Sequence, residues 1–336
     1  YDGTSKYPTD MRWKFFPSGS IAYAISQEDF FAPVKDVVSF LKVRASYGSL
    51  GNQAVPANMY IPTLTKGTNS YWGQYGAAVP YERYSSPSLI RSDVTWETIT
   101  TLGFGLDARF WKNKVGLTFD WYNRKTTDMF VPGGTMPNTY GGDAPKGNFG
   151  SMRTNGWELA LDFNHKFNNG LTFAATFGLS DSKAKLLEYT ESTTHTFNGT
   201  VNGSNYYTGM TMGEIWGYKY DRLYQMNDFE EVTALNGNTL PSNVSAVSYY
   251  GKYYKIKPGY TYSTLATPRP GGVKYKDLDG DGSITPGDNT VENPGDQRVI
   301  GNSTPRYEYG ARLGLAWKNF DLDIFFQGVG SRQLWS

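Results

Sequence analysis

The sequence predicts an all-β fold: a portion of a transmembrane antiparallel β-barrel, about eight strands, with long loops on one side. Three observations carry that expectation. Apolar and polar residues alternate with a period of two along several stretches. The connections between those stretches are short at one end and long at the other. Aromatic residues are 16% of the chain and gather at the ends of the apolar faces. Trp and Tyr favour a membrane interface, because the ring is apolar while the N–H or O–H stays wet.

The clearest hairpin spans 101–122. Leu102, Phe104, Leu106, Ala108 and Phe110 share one face, opposite Gly103, Gly105, Asp107 and Arg109. Lys112-Asn113-Lys114 turns the chain, and Val115, Leu117, Phe119 and Trp121 resume the apolar face. The design recurs with Trp157, Leu159, Leu161 and Phe163, then Leu171 to Leu179. It recurs again with Tyr307 to Trp317, then Phe320 to Phe326. Earlier, Leu41, Val43, Ala45 and Tyr47 alternate with Lys42, Arg44, Ser46 and Gly48. The segment 15–25 reads as a weaker strand, broken by Pro17. No long segment shows a 3.6-residue apolar period; a short helical turn is expected around 28–37.

The expected strands are therefore 15–25, 38–48, 97–110, 114–127, 152–165, 169–182, 306–317 and 320–329. With this set, every long loop (about 49–95, 128–151 and 183–305) falls on the same side, the extracellular one in a barrel. An apparent strand in 213–225 would break that parity, so it belongs inside the long loop. Alternation is equally expected in a soluble sandwich. Loop asymmetry favours the membrane barrel, as do charges at Asp107, Arg109, Asp120, Glu158, Asp162, Glu308, Arg312, Asp321 and Asp323. These suit a wet or plugged lumen.

Composition removes several function classes. The 336 residues contain no Cys, so disulfides, thiolate metal sites and Cys nucleophiles are excluded. Only His165 and His195 are present, too few for a multi-His zinc site, and neither adjoins a nucleophile motif. A net charge of +1 argues against nucleic-acid binding driven by counterion release. Mean hydropathy is −0.52, and no apolar run reaches the length of a transmembrane helix. Asp107 and Asp120 could suggest a glycosidase pair, but a lumen-lining hairpin explains them more simply. The chain starts at Tyr1 without a visible signal peptide and is expected to be part of a longer one.

Particular strings then become recognisable. Phe40-Leu41-Lys42-Val43-Arg44-Ala45-Ser46-Tyr47-Gly48 with Gly51-Asn52 resembles a strand of SusC/RagA-like TonB-dependent outer-membrane transporters. So do Trp96-Glu97-Thr98, Gly105-Leu106-Asp107 and Asp120-Trp121-Tyr122-Asn123-Arg124-Lys125-Thr126-Thr127-Asp128. Further matches are Gly213-Glu214-Ile215-Trp216-Gly217-Tyr218, the run from Gly272 to Gly282, Val299-Ile300-Gly301-Asn302, Pro305-Arg306-Tyr307 and Phe325-Phe326-Gln327-Gly328. They occur in the family's order and run almost from end to end.

The resemblance implies a barrel of about 22 strands with an N-terminal plug. It implies import of glycans or peptides across the outer membrane of a Gram-negative bacterium, energised by the TonB complex. A SusD-like lipoprotein would cap the extracellular mouth, and transporter–lid pairs could dimerise. The plug and final strands lie outside this chain, which would hold roughly a third of the wall. No enzymatic step is implied. The competing reading is a soluble β-rich carbohydrate-binding module.

Two sites are expected in the loops. Asp277, Asp279 and Asp281 stand at positions 1, 3 and 5 of an EF-hand-like calcium loop, with the Ser283 carbonyl at position 7 and Asp288 at position 12. Carboxylates so spaced converge on a hard cation, and Gly282 permits the sharp turn. Asp288 replaces the usual bidentate Glu, and no helix pair flanks the loop. A structural Ca2+ site and a metal-free Asp/Gly turn are the two readings. In the loop 49–95, Tyr71, Trp72, Tyr75 and Tyr81 lie among Gly, Ser and Asn. Such aromatics can stack on sugars, contact peptides, or pack against a capping partner; loop packing or partner contact is the simpler reading.

Overall fold

The computed structural model describes the chain except for residues 58–59, 65, 73–78, 85–88, 132, 134–136, 138, 140–143, 190–205, 233–246, 258–261, 264–266 and 335–336. It divides into two compact units. The first comprises 1–193, 208–212 and 305–332; the second comprises 194–207, 213–304 and 333–336.

The first unit is built on one eight-stranded antiparallel sheet. Its strands are β1 (Ser18–Tyr23), β2 (Val38–Asn52), β3 (Glu97–Phe110), β4 (Val115–Val131), β5 (Gly147–Lys166), β6 (Thr172–Tyr189), β7 (Arg306–Trp317) and β8 (Phe320–Ser331). Each strand pairs with the next in sequence, so the sheet is an unbroken meander. β6 and β7 pair across the whole 190–305 connection, from Thr172 with Ala316 to Ser180 with Glu308. All eight expected strands are present. Several run further on the long-loop side than the alternation predicted: β4 continues to Val131, β5 begins at Gly147 and β6 continues to Tyr189.

The short-turn side explains the register. Trp111, Lys112 and Asn113 take positive φ between β3 and β4. Gly170 does so between β5 and β6, and Lys318 opens the two-residue turn between β7 and β8. Near 25–34 the expected helical turn is two short 3-10 segments, Ile25–Gln27 and Asp29–Val34.

A small core sits on the long-loop side of β2–β4. Tyr7, Val55, Val94 and Trp96 are buried, with Phe16 and Phe130 against them. The Trp96 indole N–H donates to the Met11 carbonyl at 3.1 Å. The Tyr7 hydroxyl donates to the Asn52 carbonyl, and burial, then the Glu97 charge, pushes its pKa to about 12.

The second unit holds short strands. Glu214–Tyr218 pairs with Gln297–Asn302, and Tyr220–Leu223 with Val273–Tyr275. Phe229–Val232, Lys252–Ile256 and Val247–Tyr249 form a three-stranded sheet. The strand expected inside 213–225 is therefore outside the eight-stranded sheet, which preserves the parity of the crossings.

Candidate functional site

The sheet has two chemically opposite faces. On one, Phe104 and Trp121 stack with ring centroids 5.9 Å apart, and Trp121 stands opposite Trp157. Phe163 and Phe173 meet at 5.6 Å. Among the described residues no protein layer covers this face: Phe104 is 51% exposed and Phe326 55%, and Trp121, Trp157, Phe163 and Phe173 are part-exposed. Such an apolar expanse needs an apolar solvent.

The other face carries ion pairs. Arg44 on β2 donates to both carboxylate oxygens of Asp107 on β3, at 2.8 and 3.2 Å, and reaches Asp120 on β4 at 3.1 Å. Arg109 donates to Asp162 at 2.6 Å, and Arg312 grips Asp323 at 2.6–2.9 Å. Glycines make room for these long side chains. A Cβ at Gly105 would lie 2.5 Å from the Arg44 guanidinium carbon, and one at Gly116 would collide with both Arg109 and Asp162. A recess of about 590 Å³ on the sheet is lined by Lys42, Arg44, Ser46, Asp120, Tyr122 and Arg124. Glu158 stands opposite Asp120, and Ser180 lies between Glu158 and Glu308 in register. This face can hold water or a polar polymer; alternation alone produces it.

The aromatic loop is partly described. Tyr71 and Trp72 lie on the strand Lys66–Trp72, and Tyr81 on Val79–Tyr84, which pairs with it. Tyr75 lies outside the described residues, as do His195 and Phe197. The backbone hairpin thus brings three of the four expected residues onto one ribbon.

The acidic loop is arranged differently from an EF-hand. Asp277 accepts the N–H groups of Gly280 and Gly282 at 2.6 and 3.0 Å. Gly280 and Gly282 both adopt positive φ, which lets the turn fold back on that carboxylate. Asp279 accepts the Asp281 N–H at 3.2 Å, and Asp281 accepts the Ser283 N–H at 2.7 Å. Asp288 accepts from the Asn293 amide at 2.8 Å and is not among the carboxylates that gather with Asp277. The carboxylate that joins Asp277 and Asp279, within 4.8 Å, is Asp296. Asp296 is wholly buried and accepts the N–H groups of Leu278 and Thr285 at 2.5 and 2.9 Å. Sequence spacing missed it, because it arrives from 19 residues after Asp277; only its Pro294-Gly295 turn hinted at a directed side chain.

A second buried carboxylate orders the insertion. Asp228 accepts from Arg222 at 2.5 and 2.7 Å and from the Gln225 N–H at 2.8 Å. The guanidinium bond, aided by that N–H and opposed by burial, lowers its pKa to about 2.

Comparison with known proteins matches this architecture. The family model described as TonB dependent receptor-like, beta-barrel matches residues 1–267. TonB-dependent receptor P3 of Formosa agariphila is 28% identical over 97% of this chain. TonB-dependent receptor SusC of Bacteroides thetaiotaomicron is 31% identical over 48% of it. The chain spans 29% of the P3 receptor's length and 16% of SusC's. Among solved structures, that of the RagAB peptide transporter superposes with a TM-score of 0.64 at 18% identity, covering 97% of this chain and 30% of that one. The RagAB peptide importer in its open-open state gives 0.64 at 17%. The meander, its two opposed faces and the matched span place this chain in the TonB-dependent receptor β-barrel family.

Proposed function

We propose that this chain forms part of the wall and external loops of an outer-membrane importer of oligomeric nutrients, glycans or peptides, in a Gram-negative bacterium. The observation that carries the reading is the two-faced meander: uncovered aromatic and aliphatic residues on one side, the Arg44–Asp107–Asp120 network on the other. A lipid-facing wall with a polar lumen needs that division. The likeness to SusC and to the RagAB transporter supports a SusD-like lipoprotein as lid. Energy would come from the TonB complex through a plug, and no bond need be made or broken. Transporter–lid pairs would assemble as dimers.

The loop aromatics Tyr71, Trp72, Tyr75 and Tyr81 serve in this reading as a contact surface for lid or substrate. The Asp277 loop takes a structural Ca2+, supported by the approach of Asp279 and Asp296 to Asp277.

The test is deletion of the gene followed by uptake of labelled oligosaccharide and labelled peptide mixtures. Loss of one uptake, restored by the intact gene but not by one lacking the TonB-contacting region, is expected. Unchanged uptake of both, with no lipoprotein co-purifying, would overturn the reading.

A further inference from the structure

Above the apolar band, the outward face of the sheet changes character within two rungs. The Trp121–Trp157 pair is followed by Asn123 opposite Asn155, whose amides hydrogen-bond at 2.5 Å. The next rung sets Lys125 on β4 opposite Arg153 on β5, and Arg153 opposite Lys185 on β6. Lys183 lies one rung below, opposite Asn155. No register shift interrupts β4, β5 or β6 between the Trp rung and the cation rung, so these four cations share the face of Trp121 and Trp157.

Their setting is unusual in three respects. Lys125, Arg153, Lys183 and Lys185 are exposed, and none has an ion-pair partner among the described residues. Like charges directly opposite across a ladder repel, and strands about 4.8 Å apart bring three of them side by side. On the opposite face Arg44 and Arg109 are neutralised by Asp107, Asp120 and Asp162, and on the Trp rung itself Asp181 pairs with Arg306. The row also lies at a defined depth. Four residues beyond Trp121 is ~13 Å along the strand, or ~10 Å along the membrane normal at a tilt of about 40°. With the Trp rung at the hydrocarbon edge, the backbone of the row stands just outside the headgroups, a layer about 5–8 Å deep, and Lys and Arg stems that reach back toward the membrane put their cationic ends at its outer edge.

We propose that Lys125, Arg153 and Lys185, flanked by Lys183, bind the phosphate groups of an anionic lipid in the outer leaflet. The proposal rests on the reading above, which puts the long-loop side of the sheet outside the cell. The long stems reach back over the Asn123–Asn155 rung, and the cationic ends meet the phosphates. Arg153, central in the row, offers a fork that can hold one phosphate by two hydrogen bonds. A bound phosphate would replace the mutual repulsion of the rung with attraction to all three strands, tying β4, β5 and β6 together where the two long connections leave the sheet.

The test uses the full-length transporter purified with its partners from outer membranes. It is placed in phosphatidylethanolamine nanodiscs with either bis-phosphorylated lipid A or the same lipid dephosphorylated. Retained lipid is counted by native mass spectrometry. Wild type should retain the phosphorylated form preferentially, and K125Q/R153Q/K185Q should bind it at least about tenfold more weakly, since each basic residue near a charged surface contributes several-fold. If the triple variant assembles poorly, Lys185→Gln alone should show the loss in part. Equal retention of the two lipids by wild type would overturn the proposal. Full competition by inorganic phosphate would also overturn it, by making the row a free-anion site. So would unchanged lipid binding with loss of a co-purifying protein, which would assign the row to that protein. Asn113→Cys in the turn between β3 and β4 separates this from the orientation: labelling by an impermeant maleimide on intact cells would overturn the underlying reading instead.

Discussion

In the eight-stranded sheet, Phe104 is 51% exposed and Phe119 37%; in the insertion, Ile284 is 1% exposed and Phe229 4%. The sheet is held by long, regular backbone ladders and leaves its large apolar residues uncovered. The insertion has strands of only two to six residues and closes around buried side chains, two of them carboxylates. The difference teaches what each region uses as solvent. The sheet's apolar face is complete only when lipid covers it. The insertion carries its own interior and directs the chain with charge-assisted hydrogen bonds to Asp228 and Asp296.

The strongest way to break that contrast is to remove Asp296. Its carboxylate holds two backbone N–H groups 18 and 11 positions away, and bonds to a charged group are worth about 1.5–3 kcal/mol each. Asp296→Ala should open 278–296 to hydrogen exchange while the ladders of β3–β6 keep their protection. Asp296→Asn, which can still accept through one oxygen, should lose roughly half as much. Equal exposure of sheet and insertion would show that the two do not fold by separate means. Next in size are changes on the lipid face. Leu117→Arg, four positions below Trp121, should cost ~2–4 kcal/mol near the midplane, and Phe104→Arg, paired with Trp121 on the aromatic rung, should cost less, each read as a loss of folded protein in outer membranes. The exposed Val273 on the insertion should tolerate Arg within about 0.5 kcal/mol. Equal tolerance at Leu117 would sink the assigned facing.

Gly116→Ala probes the polar face with a smaller effect. Its Cβ would collide with the Arg109–Asp162 pair, and overpacking of this kind costs about 1–3 kcal/mol. Gly178, whose added Cβ meets nothing within 4 Å, is the control. A lower thermal midpoint for Gly116→Ala and an unchanged one for Gly178→Ala are expected; matched midpoints would mean that the ion pair simply moves aside.

The sheet was legible because lipid and lumen impose a period of two, which survives in Phe104, Leu106 and Ala108 against Gly105, Asp107 and Arg109. Legibility stopped a few residues past the apolar band, at the ends of the expected strands 114–127, 152–165 and 169–182. The strand 114–127 was legible through Asn123 and Lys125, but the extension to Val131 crosses register shifts at Met129 that break the period of two. The cation rung needed cross-strand register, since Lys125, Arg153 and Lys185 are about 30 residues apart in sequence. In the acidic loop, spacing located Asp277 and Asp279 but not Asp296. A carboxylate brought in by tertiary pairing leaves no local period. Tyr71, Trp72 and Tyr81 were readable as a loop cluster, while their placement on a paired ribbon followed from the register of Ser70 with Tyr81.

The smallest expected effect sharpens the comparison through pH. Asp228 titrates near 2 when folded, because Arg222 and the Gln225 N–H favour its charged form, against about 3.9 for an unfolded Asp. A depressed folded value means that the carboxylate contributes stability above the unfolded value and loses it as pH falls through the folded one. The contribution should therefore be whole at pH 5, decline below about pH 4, and vanish near pH 2. Arg222 is half-exposed, so solvent screening holds the effect to about 1 kcal/mol. The measurement is the difference in protection of 222–229 between wild type and Asp228→Asn across that range. A gap that closes toward pH 2 follows from the ion pair. A gap that persists would mean that Asn packs badly in the buried position, and the insertion would then owe its order to shape rather than charge.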